Sequence, residues 1–121
     1  PNTNVSVIKA ASALDTICVP GAATPSEIFT ALDAGASGVK AFPAEMLTAQ
    51  IIKSWRAVLP KDLSILPVGG ISTDNMRDYW EVGANGFGIG GALYQPGKSI
   101  TDISASAKEF VMAMNQLRPN T

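Results

Sequence analysis

The chain has 121 residues with nine basic and ten acidic side chains, a formal net charge of −1, one cysteine and no histidine. Apolar residues make up 46% and charged residues 16%, mixed in sign and unclustered, which fits one compact α/β domain and argues against nucleic acid, anionic membranes and disorder. Without histidine there is no histidine-based triad, and with Cys18 alone there is no disulfide framework or conventional zinc site. Cys18 lies in an apolar run and reads as a buried thiol, for which a cytoplasmic setting is the simpler expectation. The longest uncharged stretch, 82–97, is too rich in glycine and too broken by Pro96 to span a membrane. No signal peptide is visible, and the chain starts at Pro1 rather than methionine.

Taken in order, the pattern predicts a helix near Val5–Leu14 and a strand at Thr16–Pro20. Thr24-Pro25-Ser26-Glu27 is a capping box with proline at its first helical position, opening a helix over Ser26–Asp33. Gly35 stands where a left-handed cap would end that helix. A strand at Gly38–Phe42, a helix over Ala49–Val58, a strand at Ser64–Val68 and a helix over Asp74–Glu81 follow. Gly83 would end that last helix as Gly35 ends the earlier one, with a strand at Gly86–Gly90 beyond it. A final helix near Ile100–Gln116 closes the chain. The four strands begin 22, 26 and 22 residues apart, and Asp33-Ala34-Gly35-Ala36-Ser37-Gly38 recurs 48 residues later as Glu81-Val82-Gly83-Ala84-Asn85-Gly86. Such alternation means βα units and a parallel sheet, either a (β/α)8 TIM barrel or a three-layer open sheet. A full barrel needs eight strands and four are present, so residues 1–121 read as the second half of a single barrel domain, strands five to eight, with the earlier strands absent and one sheet face uncovered.

Lys40 lies inside Gly38-Val39-Lys40-Ala41-Phe42-Pro43, a run that reads as a strand buried on both faces. Burial disfavours an ammonium, and a lysine held neutral becomes a nucleophile for carbonyl substrates. The alternative is a lysine at an edge strand, snorkelling to water. In parallel barrels the active site gathers at the carboxyl ends of the strands. There the chain offers Pro20-Gly21, Lys40 to Glu45, Val68-Gly69-Gly70-Ile71-Ser72 and Ile89-Gly90-Gly91-Ala92. Two diglycine turns on the last two strands suit a phosphate site, because backbone N–H groups without neighbouring Cβ atoms approach phosphate oxygens closely. Ser72 or Thr73 is expected to cap the helix after the first pair. No cationic side chain stands in either loop, which leaves the holding to backbone amides. Glu45 reads as a solvated loop carboxylate, Lys9, Lys53, Arg56, Lys61 and Lys108 as solvated charges, and Trp55, Trp80, Phe29, Phe110, Met112 and Met114 as packing residues.

Val39-Lys40-Ala41-Phe42-Pro43-Ala44-Glu45 resembles the Schiff-base strand of the bacterial 2-keto-3-deoxy-6-phosphogluconate and 6-phosphogalactonate aldolases. Val19-Pro20-Gly21, Thr30-Ala31-Leu32-Asp33-Ala34-Gly35-Ala36 and Pro67-Val68-Gly69-Gly70-Ile71-Ser72 extend the likeness over nearly the whole chain. The resemblance implies a cofactor- and metal-independent class I aldolase (a lyase) on a (β/α)8 barrel, usually a homotrimer, splitting a phosphorylated keto-deoxy sugar acid into pyruvate and glyceraldehyde 3-phosphate. It implies that Lys40 attacks the C2 ketone, that Phe42 packs beside the imine, and that Gly69, Gly70, Gly90 and Gly91 line the phosphate end. Pro1 would match the proline closing the fourth strand near substrate, with Pro20 and Val68 also lining the pocket. Where the family often has serine in the last phosphate loop, this chain has Gly90-Gly91-Ala92.

Gluconate enzymes usually carry threonine before the first diglycine, whereas Val68 matches the galactonate enzymes, as do Gln50-Ile51-Ile52-Lys53, Ala57-Val58-Leu59-Pro60 and Leu93-Tyr94-Gln95-Pro96-Gly97. The galactonate substrate is therefore favoured. The family's acid/base glutamate and an arginine come from early strands that the chain lacks, so the isolated chain is expected to be inactive or very weak. Two other readings stay open: a phosphate-binding barrel isomerase or epimerase with an electrostatic Lys40, and a non-catalytic βα binding or assembly domain.

Overall fold

The computed structural model describes residues 1–118. Helices and short strands alternate as α1 (Val5–Ala13), β1 (Gly21–Ala22), α2 (Pro25–Asp33), β2 (Val39–Ala41), α3 (Ala49–Arg56), β3 (Ile65–Pro67), α4 (Met76–Glu81) and α5 (Ile100–Leu117). The strands form one parallel sheet in the order β1-β2-β3, with Lys40 paired to Gly21 on one side and Leu66 on the other. The expected parallel α/β layout is therefore present, with Lys40 on the central strand and not at an edge.

Local chemistry explains the helix ends. The Thr24 hydroxyl accepts from the Glu27 N–H at 3.3 Å, while Glu27 Oε2 accepts from the Ala23 N–H at 2.7 Å, so two donors at the start of α2 are satisfied reciprocally. Gly35 (φ 98°) and Gly83 (φ 105°) adopt the left-handed conformation that ends α2 and α4. Asn4 and Ser99 cap α1 and α5 through their side-chain oxygens.

Three of the five helices each bring one buried pair to the core: Ile28 and Ala31 on α2, Ile52 and Trp55 on α3, Met76 and Tyr79 on α4. Each pair is spaced i, i+3, which puts both side chains on one helix face, and the pairs recur every 24 residues along the chain. That spacing is half of the 48-residue sequence repeat, so the repeat is a packing repeat. These helices cover one face of the sheet, where Val39, Ala41, Ile65 and Pro67 are buried.

Several expectations are corrected. The first strand lies at Gly21–Ala22 instead of Thr16–Pro20. Pro20 cannot donate, yet its carbonyl accepts from the Lys40 N–H at 2.9 Å, so pairing continues past the residue that was expected to end it. At Gly86–Gly90 the strand contracts to a single Val68–Gly88 bridge. Glycines order poorly in strands, and a Cβ at Gly88 would run into the Val68 side chain. Phe29 and Met112 are exposed, while Trp55 is buried and Phe110 and Met114 pack partly against the core. Cys18 is half-buried.

Arg56 is no solvated charge. Its guanidinium donates to the Gly83 carbonyl from Nε (2.9 Å) and Nη2 (2.6 Å), to the Leu63 carbonyl from Nη1 (2.7 Å), and to Asn85 Oδ1. Burial lowers its pKa from the usual value. The fork ties the end of α3 to both loops that launch the next two sheet positions.

Candidate active site

Lys40 was expected on a strand buried on both faces, but the two faces differ. Side chains alternate along a strand, and here Val39 and Ala41 are buried against the helices while Lys40 and Phe42 are half-buried on the other face. Leu66 on β3 and Val68 just beyond its end repeat the pattern. The Lys40 ammonium lies over the Phe42 ring, 4.2 Å from its centroid, within cation–π range.

Phe42 also lines a cavity of about 400 Å³ at the carboxyl edge of the sheet, together with Val68, Gly69, Gly70, Gly90 and Gly91. Six of the residues singled out by sequence thus meet around one space, and Lys40 adjoins it through the Phe42 ring. Pro1 and Pro20 lie elsewhere: Pro1 shares a second groove with Phe42 and Gly21, and buried Pro20 lines a hollow beside α1.

The first diglycine turn is shaped by its own backbone. Gly69 (φ 110°) and Gly70 (φ 63°) both take conformations that side chains disfavour. Asn75 braces the turn, its Nδ2 donating to the Gly70 carbonyl at 2.9 Å and its Oδ1 accepting from the Ser72 N–H at 3.0 Å. The expected cap at Ser72 or Thr73 is thus replaced by an Asn75 turn ahead of α4, which starts only at Met76. At the second turn, Leu93 and Tyr94 donate to the Gly90 carbonyl (2.9 and 3.0 Å), and Gly90 and Gly91 face open space.

Sequence reasoning missed two features. Glu45 is exposed, but it leans on the diglycine turn and is the one charged side chain among the described residues lining the cavity. Its segment is pinned by the Tyr79 hydroxyl, which donates to the Ala44 carbonyl at 2.9 Å, and by the Ala44 N–H, which donates to the Val68 carbonyl at 2.8 Å. The Tyr79 phenol is pushed up chiefly by burial, and further by the negative charges of Glu45 and Asp78. Only the proximity of Pro43 to Glu45 was legible beforehand, and it pointed outward. The second feature is Lys98, whose ammonium stands 3.4 Å from the Ala92 and Leu93 carbonyls, behind the second turn. Among the described residues no three His, Cys, Asp or Glu side chains converge to hold a metal, and no helix is long and apolar enough to cross a membrane.

A parallel α/β sheet with a lysine, an aromatic ring and two diglycine turns at its carboxyl edge has the layout of a βα-type enzyme. The chain matches the KDPG and KHG aldolase profile over residues 1–108 and belongs to that aldolase family. It is 45% identical over 107 residues to the "Probable 2-dehydro-3-deoxy-6-phosphogalactonate aldolase" of Rhizobium meliloti (strain 1021), covering 88% of this chain and 50% of that protein. It is 38% identical over 116 residues to the 2-dehydro-3-deoxy-6-phosphogalactonate aldolase of Escherichia coli (strain K12), covering 96% and 57%. A solved structure of native KDPGal superposes with a TM-score of 0.95 at 38% identity, over 97% of this chain and 57% of that one. The chain spans about half the length of the curated relatives it matches.

Proposed function

We propose that the chain supplies strands five to eight of a (β/α)8 class I aldolase acting on a 2-keto-3-deoxy-6-phospho sugar acid, with galactonate favoured over gluconate. One observation carries this reading: Lys40 lies against the Phe42 ring, and that ring lines the space bordered by the two diglycine turns. A substrate with a ketone at one end and a phosphate at the other needs such an amine and such clustered backbone amides within its length. The half-barrel reading is supported by the half-exposed face of Lys40, Phe42, Leu66 and Val68, and by matches that cover only 50% and 57% of the relatives.

In this mechanism the Lys40 amine attacks the C2 ketone, the general acid supplies a proton, and water departs to leave a protonated imine. A base takes the C4 hydroxyl proton, the C3–C4 bond breaks, and its electron pair flows into the imine to form an enamine. Glyceraldehyde 3-phosphate leaves from the diglycine end. Protonation of the enamine at C3 and addition of water then release pyruvate and restore the amine. Phe42 shields the imine from water, Gly69, Gly70, Gly90 and Gly91 hold the phosphate, and Val68 withholds a hydrogen bond at the C4 hydroxyl, which favours the galactonate configuration. Pro1, which shares a groove with Phe42 and Gly21, borders the substrate at the pyruvate end in the complete barrel, and Pro20 backs that strand from beside α1. The general acid/base residue comes from the earlier strands, and the complete enzyme is a cytoplasmic homotrimer needing neither metal nor cofactor.

Borohydride treatment of the full-length protein with pyruvate tests the reading. A stable adduct on Lys40, lost in Lys40→Met, is expected. An active enzyme that gives no adduct would point instead to an electrostatic lysine, as in an isomerase or epimerase.

A further inference from the structure

We infer that Glu45 is a selectivity residue at the phosphate end of the cavity, holding free anions off the first diglycine turn until a substrate anchored at Lys40 displaces it. The inference rests on the phosphate reading of that turn. A Cβ on Gly69 would overlap Glu45 Oε2, and one on Gly70 would meet Glu45 Cγ at 2.8 Å and Cδ at 3.3 Å. The Glu45 side chain therefore lies along the turn whose exposed amides would receive the phosphate. Nothing cationic neutralises it there: the cavity-lining side chains other than Glu45 are uncharged, and among the described residues Glu45 forms no ion pair.

A carboxylate in a phosphate cradle is a competitor, and its effect depends on how the incoming anion is held. Tyr79 and Val68 fix the backbone on either side of Ala44, so the fold places Glu45 beside the turn. The exposed Glu45 side chain is still free to rotate into water. A free phosphate must displace the carboxylate and overcome its repulsion with no other anchor. A substrate joined to Lys40 delivers its phosphate intramolecularly, at high effective concentration. Glu45 thus weakens binding of loose anions more than that of the tethered phosphate, a form of discrimination by a repulsive element.

Inorganic phosphate is the probe, titrated by calorimetry into full-length wild type, Glu45→Gln, Gly91→Val and the double variant. Gly91→Val places a side chain into open cavity space. Removing one like charge at close range is expected to tighten phosphate binding about five- to tenfold, and Gly91→Val is expected to abolish that gain. A role confined to structure would not produce tighter binding. Equal or weaker affinity in Glu45→Gln, with Gly91→Val still reducing it, overturns the inference and leaves the phosphate site standing. Tightening that persists in the double variant puts the anion elsewhere and also overturns it. No phosphate binding by either wild type or Glu45→Gln rejects the phosphate reading itself.

Discussion

The Lys40 ammonium rests 4.2 Å from the centroid of the Phe42 ring, two residues further on and just past the end of β2. A ring face attracts a cation by roughly 0.5–1 kcal/mol at a partly exposed site. Phe42→Leu keeps the apolar bulk and removes that face. Formation of the borohydride-trappable adduct with pyruvate is expected to change by about two- to fivefold at fixed pH. An unchanged rate would show that Phe42 acts by bulk alone.

Arg56 offers a purely structural test. Its fork satisfies the Gly83 and Leu63 carbonyls and Asn85 Oδ1, and hydrogen bonds to charged groups contribute about 1.5–3 kcal/mol each way of counting. Arg56→Met should lower the urea midpoint of the full-length protein by the equivalent of about 2–4 kcal/mol. Arg56→Lys should recover little of it, because an ammonium cannot span three acceptors in one plane. Full rescue by lysine would refute the fork.

The two diglycine turns should respond unequally to alanine. At Gly69 the positive φ and the Glu45 carboxylate both oppose a Cβ, for a cost of about 1–3 kcal/mol. Glu45→Ala in the same protein should relieve part of that cost, seen as non-additive melting shifts. Gly91→Ala meets no described atom within 4 Å, and its melting temperature should match wild type.

Acid sensitivity should have a contribution from the start of α2. The Ala23 N–H holds the Glu27 carboxyl below its ordinary range, slight desolvation opposes this, and Thr24 assists. The folded protein therefore binds that proton less readily than the unfolded chain. The stabilisation is fully present above the unfolded pKa of about 4.3 and is lost as pH falls through the lower folded value. Glu27→Gln should flatten the stability-versus-pH curve in that acid window. Thr24→Ala should cost about 0.5–2 kcal/mol at neutral pH.

The 121-residue chain by itself should turn over at least about 100-fold more slowly than the full-length enzyme, the lower end of what a general acid/base supplies. Near-equal turnover would place the proton shuttle within these residues, with Glu45 the first side chain to test.

Helix positions were legible because their signals are local: a capping box at Thr24 and Glu27, glycines at 35 and 83, and apolar pairs at helical spacing. Strand limits were less so, since the ladder depends on which carbonyl a neighbour reaches, and Pro20 participates through an atom that its lack of an N–H conceals. The gathering of Phe42, Val68 and the four glycines followed from the strand-end rule. Arg56 and Glu45 did not, because all their partners but Leu63 lie 20 or more residues away, at Gly83, Asn85, Gly69 and Gly70. A charge looks solvated until the fold brings carbonyls or glycines to it.

The alternation along β2 and β3 has a practical corollary for mutational scanning. Within four consecutive positions, substitutions at Val39 and Ala41 should be read by the calorimeter and those at Lys40 and Phe42 by the stopped-flow trace, with Ile65 and Pro67 against Leu66 and Val68 repeating the rhythm one strand over. A deep scan scored on abundance and on turnover separately would come out as two interleaved combs, offset by a single residue.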